Sequence, residues 1–208
     1  METQESQWIN IADIMSALMM IFMFIAIAFL YQLLEQKEIY RVELNKALHQ
    51  EFDNDLQKWK ATITSDNIMR FDSPFQVGKP DIPPSFENIL NDFFPRYIKL
   101  LSSKKFKTEI DEIRVEGHTS NGWGKVNQKN SYLYNMHLSQ QRASNVLTYC
   151  YNINSKIIDT NLKWLQSNLR ANGMSFAKLL YKDQSHTVPD QIRSRRVEFK
   201  VVTIEHRE

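Results

Sequence analysis

Residues 11–34, IADIMSALMMIFMFIAIAFLYQLL, are almost wholly apolar, and they limit the possible folds of this chain more than any other segment. From Ile14 to Leu34 the run carries no formal charge. A helix rises about 1.5 Å per residue, so a run of this length matches the ~30 Å hydrocarbon core of a bilayer. The residues before it contain no Lys or Arg, unlike a signal peptide. We therefore predict an uncleaved transmembrane helix at 11–34, with Trp8 and Tyr31 near the two membrane interfaces.

Asp13 is the one charged residue inside this run. A carboxylate at the centre of a membrane costs about 2.5–3.5 kcal/mol on insertion scales, and less near the end of a helix, where Asp13 lies. One interpretation is that Asp13 caps the helix or lies in its first turn, where a negative charge favours the helix dipole. The other is that it binds an ion, because a carboxylate that gains and loses a proton can carry charge through an apolar barrier.

Composition argues against several classes of function. The 26 Lys and Arg residues nearly balance the 24 Asp and Glu residues, so the net charge is +2 and nucleic-acid binding is not expected. Cys150 is the only cysteine, which excludes an intrachain disulfide and predicts a small buried side chain. The five histidines are scattered, without the spacing of a catalytic or metal site. We expect neither an enzyme nor a bound metal or cofactor.

Residues 35–64 follow the apolar run and keep a helical pattern. Apolar residues recur there at intervals of three to five: Ile39, Leu44, Leu48, Phe52, Leu56 and Trp59. The pattern predicts a helical stalk or linker, which either pairs with a second copy of itself or packs on its own domain. Three basic residues also follow the run, and none precedes it: Lys37, Arg41 and Lys46. Taken alone, this bias places the C-terminal bulk of the chain in the cytoplasm.

Residues 65–208 predict a domain in which strands and helices alternate. The expected elements are a strand with a turn at 67–77, a helix from Pro84 to about Leu101, a strand at 110–120, a helix at 131–151, a helix or turn and the start of a strand at 160–173, and a strand at 193–205. Pro84 suits the first turn of a helix. This order indicates an α+β chain whose second part is an α/β sandwich, with helices covering one sheet.

Three motifs of this domain resemble the OmpA-like peptidoglycan-binding family. They are VEGHTS at 115–120, NMHLSQQRASNVLTY at 135–149 and SRRVEF at 194–199. The family pattern is EGHTD, then N-x-x-L-S-x-x-R-A-x-x-V, then a closing N-R-R-V, and the matches occur in that order over roughly 65–204. The resemblance implies a mixed sheet with helices on one face.

The N-terminal stretch WINIADIMSALMMIFMFIAIAFL resembles MotB-like stator subunits, and Asp13 falls on their ion-binding aspartate. The motifs GHTSNGW and YLYNMHLSQQRA are more similar to the ZorB family of the Zorya anti-phage systems than to flagellar MotB. The resemblance implies an inner-membrane, wall-anchored subunit of an ion-driven motor, with H⁺ rather than Na⁺ as the ion. The implied partners are a second copy of the chain and a ring of five multi-span subunits similar to MotA or ZorA. A flagellar stator subunit and a passive membrane-to-wall tether are the alternatives.

The resemblance also implies a topology. Residues 1–10 would be a short cytoplasmic N-terminus and the C-terminal domain would be periplasmic, since only there is peptidoglycan within reach. We therefore predict this topology, although the basic residues that follow the span favour the opposite one. The charge bias and the resemblance therefore disagree, and the topology is an expectation that rests on the resemblance.

The resemblance assigns the residues that contact the wall. Arg142 lies at the carboxylate-binding arginine of the family, and a planar guanidinium suits a carboxylate. The full set of predicted peptidoglycan-binding residues is Thr119, Ser120, Asn135, Leu138, Arg142 and Arg196. Ser120 stands where the family has an aspartate that answers a ligand ammonium, so a hydrogen bond is kept and an ion pair is lost.

Each of these assignments has a structural alternative. Arg142 is otherwise an arginine on the surface of a helix. Asn135 either orders the neighbouring loop or touches the ligand, and His118 is expected to shape the loop rather than to catalyse a reaction. The basic cluster RSRR at 193–196 is expected to face solvent or brace the loop, with Arg196 supporting the site.

Overall fold

The computed structural model describes residues 2–72, 74–183 and 185–204, without the side chains of residues 2–7, 9, 10, 36 and 37. The chain forms two compact units, Met1–Glu43 and Leu44–Glu208. Met1 of the predicted N-terminal segment and the last four residues of the predicted C-terminal domain lie outside the described residues.

The first unit consists of the first part of helix α1, which runs from Glu2 to Trp59. Across 11–34 the side chains are exposed, apart from the half-buried Leu33. This is the one helix in the described part of the chain that is long and apolar enough to cross a membrane. Of the two interpretations of Asp13, a helix cap or first-turn acid does not fit the structure, because α1 begins at Glu2, well before that residue.

The second unit begins at Leu44, within the predicted stalk rather than at residue 65. Leu48 and Phe52 are fully buried, and the Phe52 ring lies 5.4 Å from the ring of Phe93 in the core. Of the two alternatives for the stalk, the structure shows a helix that packs on its own domain over 44–59. The reason is that the apolar side chains on one face of this helix are removed from water when they pack into the core of the domain.

In the described part of the second unit, five strands form one sheet. They are β1 (Ala61–Ile63), β2 (Ile68–Asp72), β3 (Ile110–Gly117), β4 (Leu169–Gly173) and β5 (Arg196–Thr203). Their order is β1-β2-β5-β3-β4, and only the pair β3–β4 is parallel. The predicted α+β class with a mixed sheet is confirmed. The predicted helical stalk over 35–64 is wrong at its end, since α1 stops at Trp59, Lys60 has a positive φ of 51°, and the chain turns there into β1.

The helices of the second unit match the predicted order, with additions. They are α2 (Pro84–Leu101), α3 (Gln128–Tyr151), α4 (Lys156–Thr160), α5 (Leu162–Asn168) and α6 (Gln191–Ser194). Pro84 is the first residue of α2, as predicted. Rings of Phe71 on β2, Phe93 on α2 and Phe199 on β5 pack edge to face at 5.0–6.0 Å. This aromatic cluster places the helices on one face of the sheet, as expected.

Two glycines set the position of α3 above the sheet. A Cβ atom on Gly117 would lie 2.3 Å from the carbonyl oxygen of Ser139, and one on Gly173 would lie 2.6 Å from the backbone nitrogen of Gln140. No other residue allows so close an approach between a strand and a helix backbone. The absence of side chains at the ends of β3 and β4 therefore brings the middle of α3 over the edge where both strands end.

Candidate functional site

The edge of the sheet where β3 and β4 end gathers the loops that carry the predicted motifs. Parallel strands end at the same edge, and the antiparallel β5 begins there. The backbone N–H of His118 donates to the carbonyl of Arg196 at 3.0 Å. That of Thr119 donates to the carbonyl of Ser175 at 2.8 Å. Three separate segments are thus tied together beside α3.

Arg142 on α3 is buried, with 1% of its surface exposed. Its Nε donates to the carbonyl of Lys79 and its Nη2 to the carbonyl of Gln76, each at 2.9 Å. The guanidinium also stacks over the ring of Phe75, 4.9 Å from the centroid. The alternative of a surface arginine is therefore wrong. Burial, and then the charge of Arg195, lower the pKa of Arg142 to about 10, which still leaves the group charged near neutral pH.

A cavity of about 250 Å³ opens beside this guanidinium. Its lining comes from the loop after β2, the loop after β3, the middle of α3 and the residue before β5. The lining residues are Val77, Gly78, Thr119, Ser120, Gly122, Trp123, Gly124, Asn135, Leu138, Arg142 and Arg195. The structure therefore brings five of the six predicted wall-binding residues to one cavity, and Arg196 is the exception.

Hydrogen-bond donors are concentrated around this cavity. Asn135 Nδ2 donates to the carbonyl of Gly122 at 3.2 Å, so this side chain both orders the loop and lines the cavity. The Thr119 hydroxyl and the Nε of Arg195 are buried with no hydrogen-bond partner among the described residues. Donors and two guanidinium groups, with an apolar wall from Leu138, suit a carboxylate better than a cation or a neutral sugar.

Arg196 points away from the cavity and into a buried charged cluster on the other side of the sheet. Its Nε donates to Glu198 at 2.6 Å, and Arg70 on β2 donates to the same carboxylate oxygen at 2.8 Å. The Nε2 of His118 lies 3.3 Å from Glu198 and 3.6 Å from Glu116. Burial alone would raise the pKa of Glu198, but hydrogen bonding to His118 and the charge of Arg196 hold it well below its usual range.

This cluster is where a metal ion could be held, among the residues that the structure describes. Glu116, His118 and Glu198 place one ligand atom each within 4.8 Å of one another. Two guanidinium groups already neutralise Glu198, however, so the cluster offers little net negative charge to a dication. Its position suits a structural role at the start of the loop after β3, because the His118 side chain lies near Glu116 and Glu198 while its backbone N–H donates to the carbonyl of Arg196.

Sequence reasoning missed Arg195 as a residue of the cavity. The cluster RSRR was seen, but Arg196 was chosen from it. The signal that would have separated them is strand alternation, since neighbouring residues at the start of a strand point to opposite sides. The buried acids Glu116 and Glu198 were also passed over, although each lies within a quoted motif, VEGHTS or SRRVEF. The carbonyls of Gln76 and Lys79 carry no sequence signal, because any residue supplies a backbone carbonyl.

Asp13 belongs to the other unit. It lies on α1, and its side chain is exposed, like those of the apolar residues that follow from Ile14. The described residues of this unit bring no second acid or base into 11–34, since the sequence has none there. Its role in ion binding stays a prediction.

Comparison with known proteins gives the family. The chain is 40% identical over 217 residues to a Zorya protein ZorB from the Escherichia coli Crooks strain, covering 97% of this chain and 90% of the relative. The chain belongs to the ZorB family. A second ZorB, from Escherichia coli O139:H28, is 29% identical over 70% of this chain and 61% of the relative. Residues 74–192 match the OmpA family, so this member of the ZorB family carries an OmpA domain.

Solved structures with similar folds are more distant. A cell wall anchor of the T6SS from Pseudomonas aeruginosa is 17% identical, covers 75% of this chain and 96% of its own, and has a TM-score of 0.48. A MotB-like protein from Desulfovibrio vulgaris is 18% identical, with coverages of 77% and 94% and a TM-score of 0.46. The periplasmic domain of Helicobacter pylori MotB is 16% identical, with coverages of 66% and 76% and a TM-score of 0.44.

The OmpA match and the compact unit of this ZorB-family chain have different limits. The match covers 74–192, whereas the unit begins at Leu44 and extends past β5. The end of α1 and the strands β1, β2 and β5 therefore complete the core from outside the matched segment. Arg195 also lies outside the match, although it lines the same cavity as Arg142.

Proposed function

We propose that the chain is a stator-type subunit of an ion-driven motor in anti-phage defence, held in the inner membrane and anchored to peptidoglycan. The observation that carries this proposal is the joint presence of two features in a ZorB-family chain. One is a cavity in an OmpA domain that two arginines line, and the other is an apolar segment with a single carboxylate. A flagellar stator subunit and a passive tether remain the alternatives that the experiments below separate.

Asp13 is the ion-binding group of the proposed motor. It is the one titratable acid in 11–34, so protonation would remove the only charge from the segment. A unit charge that crosses 100 mV of membrane potential releases roughly 2.3 kcal/mol. Ser16 and Ala17, a turn further along, leave room for a neighbouring helix to approach closely. Repeated protonation, with H⁺ as the ion, would change how partner helices fit around this segment and so drive steps of a surrounding ring.

The cavity of the OmpA domain is the anchor of the proposed motor. Stem peptides of peptidoglycan end in carboxylates, and Arg142 is held rigidly by the carbonyls of Gln76 and Lys79. A pre-oriented guanidinium loses little freedom on binding such a group. Anchoring would stop the subunit from turning with its partners, which an ion-driven ring requires in order to do work.

The proposed topology follows from the anchor. Peptidoglycan lies in the periplasm, so the OmpA domain must be there and the N-terminus in the cytoplasm, although three basic residues after the span favour the reverse. The proposed assembly is a homodimer of this chain within a ring of five multi-span subunits. These parts of the proposal rest on the family and on the chemistry of the cavity.

Phage plating on cells that carry the native operon tests the proposal. Asp13→Asn keeps the size and polarity of the side chain but cannot exchange a proton, and Asp13→Glu is the matched variant that retains the carboxylate. We expect Asp13→Asn to abolish protection at an unchanged membrane level of the protein. Full protection by Asp13→Asn would reject the motor and favour the tether. A wild type that protects against no phage would reject defence, and restored swimming of a stator-deficient strain would then favour the flagellar alternative.

A further inference from the structure

The charged residues that line the cavity in the OmpA domain are all cationic. Arg142 and Arg195 line it together, and no Asp or Glu is among its lining residues in the part of the chain that the structure describes. The nearest acids of the motif, Glu116 and Glu198, are engaged by His118, Arg70 and Arg196 in the buried cluster. A ligand in this cavity therefore meets two positive charges and no negative one.

Ser120 supplies the neutral polar group of this lining. A hydroxyl both donates and accepts a hydrogen bond, so it can pair with the N–H or the carbonyl of an amide. It cannot neutralise an ammonium. The Thr119 hydroxyl, buried and without a hydrogen-bond partner among the described residues, has the same capacity.

These charges discriminate between two forms of the same stem-peptide end. A free diaminopimelate end carries a carboxylate beside an ammonium, and the ammonium would lie near two guanidinium groups of like charge, which repel it. When the amine is acylated in a peptide cross-link, the ammonium becomes a neutral amide. The carboxylate keeps its partners, and the amide gains the two hydroxyl groups.

We propose that the cavity takes a carboxylate-bearing stem end whose neighbouring amine is acylated, as in cross-linked peptidoglycan, in preference to the same end with a free ammonium. This rests on the proposed function, since it assumes that the cavity is the wall-binding site. The selecting features are the pair of guanidinium groups from Arg142 and Arg195 and the hydroxyl of Ser120. Anchoring would then favour regions of the wall that are already joined into a network.

Two peptides test this preference on the full-length protein in detergent. The first is L-Ala-γ-D-Glu-meso-diaminopimelate, and the second is the same tripeptide acetylated on the side-chain amine. Titration calorimetry should show at least threefold tighter binding of the acetylated peptide. Ser120→Asp should reverse the order by restoring an acid for the ammonium. Ser144→Asp is the matched control, since Ser144 is exposed on α3 outside the cavity, and it should leave the order unchanged.

The outcomes separate the preference from the proposed function. Equal or tighter binding of the free-amine peptide to the wild type would overturn the preference and leave wall anchoring intact. No binding of either peptide, with the protein still sedimenting with purified sacculi, would also overturn it, because the wall would then bind elsewhere. No binding of either peptide and no sedimentation with sacculi would overturn wall anchoring itself.

Discussion

The two units of this chain place charge in opposite ways. In the first, apolar side chains cover the surface over 11–34 and a single acid, Asp13, lies among them. In the second, aromatic rings fill the core, and charged residues such as Arg142 and Glu198 are buried beside it. The net charge of +2 reveals none of this, because the difference lies in where the charges are, not in how many there are.

The two units differ in whether the groups that compensate a charged side chain lie within the same part of the chain. Two buried charges of the second unit find partners within the chain: Glu198 accepts from Arg70 and Arg196, and Arg142 donates to two backbone carbonyls. A buried charge costs several kcal/mol unless it is compensated in this way. Asp13 has no compensating group within 11–34, so any group that compensates it there comes from outside that segment. The variants that follow test this contrast, in order of decreasing effect.

Glu198→Gln should give the largest effect, because it leaves Arg70 and Arg196 buried without their shared carboxylate. Loss of one partner of a buried ion pair destabilises a protein by about 3–5 kcal/mol. Urea unfolding of the full chain in detergent, followed by tryptophan fluorescence, measures the change. Glu109→Gln, an exposed acid, is the control and should change little.

The same variant should also change the pH dependence of unfolding. The pKa of Glu198 is lowered in the folded protein from its ordinary value of 4.5, so the folded state holds fewer protons than the unfolded state in this range. The stabilisation is therefore complete above about pH 4.5 and is lost as the pH falls further. Wild type should lose stability in acid more steeply than Glu198→Gln. Parallel pH profiles would show that Glu198 is not the ionised partner.

Leu48→Ala tests where the first unit ends and the second begins. Leu48 is fully buried, and truncation of a buried Leu costs about 2–5 kcal/mol. Val42→Ala on the same helix is the control, because Val42 is 53% exposed. Equal stability of Leu48→Ala and wild type in urea would mean that 44–59 is a separate stalk, as one alternative from the sequence held.

The sequence predicted most of the elements because their signals are local. The start of α2 at Pro84 and the segment 11–34 depend on one proline and on one long apolar run. The sequence missed β1 because three residues are too few to show a period. It also drew the domain boundary too late, because an amphipathic pattern such as that of Leu44 and Leu48 shows that a helix packs, but not on what.

The sequence predicted most residues of the cavity, but not which arginine at the start of β5 lines it or which groups hold Arg142. Two motifs together named five side chains of the cavity: three lie on one face of α3 around Arg142, and two lie in the loop after β3. The choice between Arg195 and Arg196 depended on where β5 begins, which fixes the side on which each side chain emerges. The backbone partners of Arg142 depended on the path of the loop after β2, which no residue type reports.

Arg142→Lys tests the buried arginine that is proposed to bind a ligand rather than a charged residue of the same chain. A lysine keeps the charge but cannot hold both carbonyls and still present a planar fork to a ligand. We expect about tenfold weaker binding of the full chain to purified sacculi, or about 1.4 kcal/mol. Arg170→Lys, an exposed arginine on β4, is the control. Unchanged sedimentation of folded Arg142→Lys would remove this guanidinium from the binding site.

Arg96→Lys should give the smallest effect and compares ion pairs in the two units. Arg96 on α2 reaches Glu51 at 2.8 Å and Asp55 at 2.9 Å on α1, and its guanidinium stacks over Phe52 at 4.9 Å. Lysine keeps the charge and loses the fork and the stacking, so we expect a loss of about 1 kcal/mol in the free energy of unfolding.

The matched change in the first unit is Arg41→Lys, because Arg41 pairs with Glu38 at 2.7 Å one turn away on α1 and both side chains are largely exposed. An exposed pair of this kind contributes little, since water screens both charges and the long side chains lose freedom in forming it. We therefore expect no measurable shift in urea. Equal shifts for both variants would show that Arg96 stabilises the protein as a surface charge and not as a clamp between α1 and α2. The contrast between the units would then be limited to the fully buried groups, Arg142, Arg196 and Glu198.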